Sequence, residues 1–245
     1  MNNFGTIWRR ELSASFLSPI AYVTMVVFLG VTNGTFLVAV LRNLGSYEPI
    51  AGILFAAIFL WLPILVTVTC MRLFAEEKRS GTIEALLTAP VTELEIVLGK
   101  YAAALSFTLL TVAPAVAAIF ILERLSPGLR MADVDPGAIA AGCVILALLS
   151  AFLTAVGLLV SLLTKNQIVS AIACFCCVCT ALMAGWLVSL VPGMPPELIQ
   201  YISATQHIEE FTRGIVNADP FVLWGSGTVL LLFFAVRVLE ARRWL

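Results

Sequence analysis

Charge is scarce in this sequence. Only 12% of its 245 residues are Asp, Glu, Lys or Arg, whereas 61% are hydrophobic; soluble domains carry about a quarter charged residues. None of the 29 charged residues falls within the six longest apolar runs, which are 20–41, 50–71, 101–122, 137–163, 168–191 and 221–236. The composition excludes a soluble domain. It also disfavours a proton-driven transporter, because intramembrane carboxylates or histidines usually carry coupled protons.

Signatures of catalysis are also missing. The Gly99-Lys100 pair lacks the rest of a phosphate-binding loop, so we expect that the chain does not itself bind and split ATP. We find no nucleophile with a plausible base, no H-E-x-x-H and no paired carboxylates on a common face. No basic patch with interleaved aromatics indicates nucleic-acid binding. We therefore predict a chain that is not an enzyme, with no catalytic residue and no bound metal or cofactor.

Six apolar runs have the length of about 20 residues that a helix needs to cross the hydrocarbon core. Backbone polar groups in lipid must be satisfied within the segment, so each run is predicted to be helical. The first run is too long for a signal-peptide core and should stay in the mature protein. The fold class is an all-α integral membrane protein, a single domain over residues 1–245. The predicted spans are about 20–41, 50–71, 101–122, 137–163, 168–191 and 221–240.

Basic residues are distributed unequally between the predicted loops. With the N-terminus inside, the inner segments hold ten of the 14 Lys and Arg residues and the outer loops hold four. Lys and Arg are retained on the cytoplasmic face of membrane proteins. Both termini are therefore predicted to be cytoplasmic.

The six cysteines lie inside or at the edge of predicted spans, and none lies in an outer loop, so a disulfide framework is not expected. Four of them cluster in 174–179, but their pairs occupy different faces of one helix and cannot close a tetrahedral metal site. We interpret them as packing residues. The single histidine, His207, has no second ligand type beside it and is interpreted as a hydrogen-bonding loop residue.

Residues 1–18 carry apolar side chains at spacings of three and four. This pattern predicts an amphipathic helix in the membrane interface, with its arginines near headgroups. The alternative is a charged flank that merely sets topology. The residues assigned to the interfacial helix are Phe4, Ile7, Trp8, Arg9, Arg10, Leu12 and Phe16.

The polar segment 76–98 lies between the second and third spans and divides at Pro90. Residues 80–88 are predicted to form a short helix, which Pro90 ends because the residue before a proline avoids the helical region. Thr92 and Glu95 then have the spacing of a capping box, which starts the helix of the third span. The short helix has one apolar side, which suits either a soluble partner or the lipid surface. That side consists of Ile83, Leu86 and Leu87.

The longest predicted outer loop is 192–220. Its apolar residues recur at helical spacing, which predicts short helices that lie at the outer surface or dip back into the membrane.

Together these features resemble permease subunits of type-2 ATP-binding-cassette (ABC) transporters. The resemblance covers the N-terminal helix, the six spans and the inner loop from Glu76 to Lys100. Residues 18–22 and 207–214 are similar to the subgroup of gliding-motility-associated ABC permeases. One departure is Ile208, where that subgroup often has phenylalanine.

The resemblance implies a half-transporter in the bacterial cytoplasmic (inner) membrane. Two permease chains, identical or homologous, would pack together through their first, second and fifth spans. Each would be met from the cytoplasm by a separate ABC ATPase subunit, which holds ATP and Mg²⁺. The coupling helix of the family maps onto residues 81–88, and the N-terminal helix corresponds to the elbow helix.

The site residues follow from this mapping. The residues assigned to ATPase coupling are Arg79, Gly81, Thr82, Ile83, Glu84, Leu86, Leu87, Thr88 and Pro90. Those assigned to the outer-loop helix are His207, Phe211, Arg213 and Gly214.

The expected function is that of a permease subunit of an exporter, following the family pattern, that couples ATP hydrolysis in its partner to substrate movement. Two alternatives stay open. One is a scaffold subunit of an ABC-type envelope machine that contacts further envelope proteins and moves no solute. The other is an ion-coupled secondary transporter, whose mid-membrane site would have to come from Asn33, Thr35, Thr67 and Thr69.

Overall fold

The computed structural model describes residues 3–43, 49–81, 91–125 and 136–243, and within these ranges the chain is all-helical. The helices are α1 (Asn3–Leu17), α2 (Pro19–Arg42), α3 (Ile50–Cys70), α4 (Ala75–Ser80), α5 (Glu93–Leu125), α6 (Pro136–Leu163), α7 (Gln167–Leu182), α8 (Ala184–Ser189), α9 (Pro196–Ile202), α10 (Ala204–Thr212) and α11 (Asp219–Arg243).

Five helices of the described chain are long and apolar enough to cross a membrane, namely α2, α3, α5, α6 and α11. They cover five of the predicted spans. Helix α5 begins well before the third span because the capping box starts it in the preceding loop. The chain is a multi-pass, all-α membrane protein.

The fifth predicted span differs from the expected single helix over 168–191. The apolar helix α7 ends at Leu182, and the short helix α8 follows after Met183. Close packing accompanies the break, since a Cβ atom placed on Gly185 would lie 2.7 Å from the Cα atom of Ser203. Helix α8 is thus packed against the segment that joins α9 and α10.

The main core lies where α3 packs against α6 and α7. Leu54, Phe55, Ile58 and Leu62 of α3 are fully buried, as are Ile145 and Leu153 of α6. Helix α10 also enters this core, because Ala204, Ile208 and Phe211 join the same apolar cluster. The outer-loop prediction left open whether its helices lie on the surface or dip back, and α10 packs into the bundle.

A second apolar cluster gathers α1, the start of α5, the end of α6 and the last turns of α11. We call this end of the bundle the terminal end, since α1 and the last turns of α11 meet there. The end that carries α8, α9 and α10 is the opposite end. The cluster at the terminal end contains Ile7, Phe74, Ile96, Val97, Leu158, Leu162, Ala235 and Leu239.

Gly142 of α6 packs closely against α3 in the main core. A Cβ atom placed there would lie 2.3 Å from the ring of Phe55, which is fully buried. We expect Gly142→Ala to lower the free energy of unfolding by about 1–3 kcal/mol, since overpacking forces neighbours out of their rotamers. Thermal unfolding in mild detergent measures the effect.

The matched control is Gly34→Ala in α2, where nothing lies within 4 Å of an added Cβ atom. This variant should be neutral or slightly stabilising, because alanine favours a helix interior by up to about 1 kcal/mol. Equal unfolding temperatures for the two variants would contradict the packing described here.

Candidate functional site

The loop assigned to ATPase coupling leaves and re-enters the described chain at two stems on the terminal end. Its central residues lie outside the described ranges. Those residues are Thr82, Ile83, Glu84, Leu86, Leu87, Thr88 and Pro90. The first stem is α4, which exposes Arg79 and ends at Gly81 with a left-handed φ of 75°. The second stem is the first turn of α5.

Lys100 forms the centre of the site. Its side chain is 1% exposed, and its Nζ atom lies 2.7 Å from an oxygen of Glu77 in α4 and 3.3 Å from an oxygen of Glu11 in α1. The ammonium group also lies 5.2 Å from the ring centre of Phe74, a cation–π geometry. One buried cation on α5 therefore binds α1, α4 and the turn before α4. We call Lys100, Glu77 and Glu11 the ionic junction.

Helix α6 holds the start and the side of α4. The Oγ atom of Ser161 accepts hydrogen bonds from the backbone N–H groups of Phe74 (3.1 Å) and Ala75 (3.3 Å). These N–H groups would otherwise be unpaired at the helix start. Lys78 donates to the carbonyl oxygens of Leu162 and, at 3.0 Å, Thr164, which places a cation at the end of α6, where the helix dipole favours it.

Arg72 connects the same region to the hinge between α1 and α2. Its guanidinium donates to Glu76 at 3.0 Å and to the Ser18 hydroxyl at 3.0 Å. Arg72 lies in the turn after α3, so its two bonds link Glu76 of the first stem to the joint between α1 and α2. Lys100 bonds the same stem to α5, and Ser161 bonds it to α6.

The second stem has the predicted capping box. The backbone N–H of Thr92 donates to Glu95 at 3.0 Å, and the backbone N–H of Glu95 donates to the Thr92 hydroxyl at 3.3 Å. The same Glu95 carboxylate accepts a hydrogen bond from Asn3 in α1 at 3.5 Å. The point at which the chain re-enters α5 is thus fixed locally and against α1.

Helix α1 packs along α5, and Ile7 of its apolar side lies against protein. Ile7 is buried and sits over Gly99, where an added Cβ atom would lie 2.7 Å from the Ile7 Cγ2 atom. Trp8 donates to the Ser106 hydroxyl at 3.2 Å, and this bond lies on the exposed side of the contact. The prediction placed this apolar side in the acyl boundary. In the structure its central residue, Ile7, contacts α5, and the membrane position of the rest of this side stays a prediction.

The other residues of the predicted interfacial helix are less enclosed. Phe16 packs edge-on against Phe107 of α5 with ring centres 5.4 Å apart, and Leu12 is half-buried. Phe4, Trp8, Arg9 and Arg10 are exposed. Helix α1 therefore has one side on α5 and another available to lipid headgroups, as an amphipathic helix requires.

The four predicted outer-loop residues lie at the opposite end, in and just after α10. His207 is buried, hydrogen-bonds to the carbonyl oxygen of Tyr201 at 3.0 Å and packs edge-on against Trp224. Phe211 is fully buried, whereas Arg213 forms an exposed pair with Glu209. Gly214 adopts φ 80° directly after the helix, the conformation for which glycine is favoured. His207 and Phe211 anchor α10 in the bundle, away from the ionic junction.

The ionic junction was missed by sequence reasoning. In the sequence, Lys100 is one basic residue of an inner loop and the second member of the Gly99-Lys100 pair, and nothing local distinguishes it from an exposed lysine. The feature of the sequence that could have identified Lys100 is its position. It directly precedes an apolar span, and an acidic segment lies 23 residues before it in the chain.

Comparison with known proteins agrees with this architecture. Residues 11–239 match the family described as ABC-2 family transporter protein. The chain belongs to this family. It is therefore an ABC permease, the membrane subunit of a transporter and not itself the catalytic subunit. A search of curated proteins found no match.

Membership of the ABC-2 family implies, in general terms, an ABC ATPase partner and association of permease subunits. The similarity to the gliding-motility subgroup stays a prediction. For this ABC-2 permease, the ionic junction and the two stems form the part of the described chain that surrounds the predicted partner contact.

Proposed function

We propose that this ABC-2 permease couples ATP hydrolysis in a separate ATPase subunit to export of a substrate, and that residues 81–88 are its coupling helix. The observation that carries the proposal is the burial of Lys100 between Glu77 and Glu11 at the base of that segment. ATP and Mg²⁺ belong to the partner, whose closure would move the coupling helix.

The ionic junction supplies a mechanical reason for this assignment. If the stems were flexible, a displacement of the loop would bend the stems and would not be transmitted to the helices of the bundle. Here the first stem is bonded by Lys100 to α5, by Ser161 to α6 and by Arg72 to the start of α2. Charge-assisted hydrogen bonds in a buried setting are the stronger class. A displacement of residues 81–88 would therefore move these helices together.

The proposed mechanism is a population shift between two conformations of the permease. Nucleotide binding changes the permease only if the ATPase contacts one permease conformation better than the other. The coupling helix is the proposed site of that differential contact, with Leu86 and Leu87 as apolar anchors and Glu84 and Arg79 at its charged edge.

We further propose that the terminal end faces the cytoplasm of a bacterium and that the membrane is the inner membrane. The support is charge distribution, since the predicted inner segments hold ten of the 14 basic residues. This orientation places the stems, α1 and the last turns of α11 on the cytoplasmic side of the membrane, where ATP is present. A second permease chain, identical or homologous, would complete the transporter.

Leu87→Asp tests the coupling assignment. A carboxylate in an apolar contact would be desolvated without a partner, so the variant should insert normally but lose its ATPase subunit during purification in mild detergent. Reconstituted with that subunit, it should no longer link transport to ATP hydrolysis. The amount of ATPase retained per permease is the measurement.

Leu94→Asp is the matched control, because Leu94 is an exposed leucine in the first turn of α5, outside the coupling helix. It should retain the ATPase subunit. Unchanged ATPase binding and transport in Leu87→Asp would overturn the proposal, as would equal loss in both variants.

A further inference from the structure

A cavity of about 520 Å³ lies at the opposite end of the bundle, between α2, α3 and α10. Its volume falls in the range of about 300–1,000 Å³ that is typical of small-molecule sites. The ionic junction and the coupling loop lie at the other end. The cavity is therefore separate from the proposed coupling site.

Each of the three helices presents one stripe to the cavity. Helix α2 contributes Thr35 and Ala39, and Asn43 follows directly after its end, each spaced by one helical turn. Helix α3 contributes Gly52, Ala56 and Leu60 at the same spacing, and the space lies over the small residues Ala39, Gly52 and Ala56. Eight residues of helix correspond to about 12 Å, so the cavity is a half-open slot about 12 Å long, parallel to the helices.

The walls and the mouth differ in chemistry. Ala39, Ile53, Ala56, Phe59 and Leu60 make most of the wall apolar, and Ala56 and Leu60 are exposed at its open side. At the mouth, Glu209 of α10 and Arg213 directly after this helix line the cavity and pair with each other. The site thus combines an apolar slot with one negative and one positive group at its outer edge.

The charged pair at the mouth is free to rearrange around a ligand. Its side chains are 61% and 60% exposed, and exposed pairs of this kind hold together by only about 0–1 kcal/mol. A guanidinium binds phosphate through its fork of donors, and a carboxylate accepts from an ammonium group. A ligand head with both charges would satisfy both side chains.

We propose that this cavity binds a phospholipid with a zwitterionic phosphate-amine head. One acyl chain occupies the slot between α2 and α3, the phosphate lies at Arg213 and the amine lies at Glu209. The apolar slot and the two-charge mouth favour this occupant. The competing occupant is a second copy of the chain, because the family resemblance places the first and second spans, here α2 and α3, at the contact between two permeases. The proposal concerns binding alone and does not depend on ATPase coupling.

The test uses a phosphatidylethanolamine with a photoactivatable group in its acyl chain, added to the purified full-length permease in mild detergent. We expect label on the α2 and α3 peptides that line the cavity, with strong competition by unlabelled phosphatidylethanolamine and weak competition by anionic phosphatidylglycerol. Ala56→Phe, which fills the slot, should lose most of the label. Ala117→Phe on the exposed side of α5 should keep it.

A second variant removes the head contacts without altering the slot. Glu209→Gln with Arg213→Gln should abolish the preference for the zwitterionic lipid, and both positions are at the surface, so folding is not at stake. Equal labelling of Ala56→Phe and Ala117→Phe, equal competition by the two lipids, or crosslinks between two permease copies in place of lipid label would each overturn the proposal.

Discussion

Lys100→Met is expected to destabilise the terminal end of the permease and to abolish the response of its ATPase partner. Removing one member of a buried ion pair leaves the other charges uncompensated and costs up to about 3–5 kcal/mol. Glu77, whose side chain is only 20% exposed, would lose this cation, and Glu11, 17% exposed, would keep its pair with the exposed Arg10. The measurements are thermal unfolding in detergent and the ATPase rate of the reconstituted complex.

A triple variant separates stability from coupling. Lys100→Met with Glu77→Gln and Glu11→Gln removes all three charges, and neutral replacement of a buried ion cluster is often tolerated. We expect its unfolding temperature to recover while the ATPase response stays lost, since α4 is no longer held to α5 by charge. Lys165→Met, at an exposed lysine, is the control and should match the wild type. A wild-type ATPase response in the triple variant would remove the junction from the mechanism.

Gly99→Val is expected to displace α1 from α5. The added side chain would meet the Ile7 Cγ2 atom at 2.7 Å and the Ile7 Cβ atom at 3.0 Å, and a branched residue has little rotamer freedom in a helix with which to avoid them. Overpacking of this kind costs about 1–3 kcal/mol. Because Glu11 of α1 contacts Lys100, the same change should loosen the ionic junction.

Compensation gives a sharp control for this contact. Ile7→Ala should restore the unfolding temperature of Gly99→Val by making room, although Ile7→Ala alone is destabilising. Gly30→Val, where nothing lies within 4 Å of an added Cβ atom, should have little effect. Additive losses in the double variant would show that α1 does not pack on α5 through these residues.

Much of the fold can be predicted from local patterns in the sequence. The apolar runs have membrane length, and the Thr92–Glu95 spacing predicts a cap that the structure shows. The amphipathic pattern of residues 1–18 predicts the helix α1. Each of these signals depends on neighbours in the chain, so it can be recognised without knowledge of the packing.

The unpredicted features depend on contacts between distant residues. The break at Met183 accompanies close packing of Gly185 against Ser203, and the burial of Lys100 depends on α1 and α4 meeting at α5. The cavity at the opposite end requires three stripes from α2, α3 and α10 to face one another. Sequence periodicity assigns a face to each helix but does not say which faces meet.

Photocrosslinking from position 87 tests the central claim, that residues 81–88 are the contact for the ATPase, most directly. A photoreactive amino acid at position 87 should crosslink to a subunit that carries nucleotide-binding motifs, identified by mass spectrometry. The same amino acid at position 215, which is exposed at the opposite end of the bundle, should not. Capture of that subunit from position 215, or its absence from position 87 in a complex that hydrolyses ATP, would contradict the account.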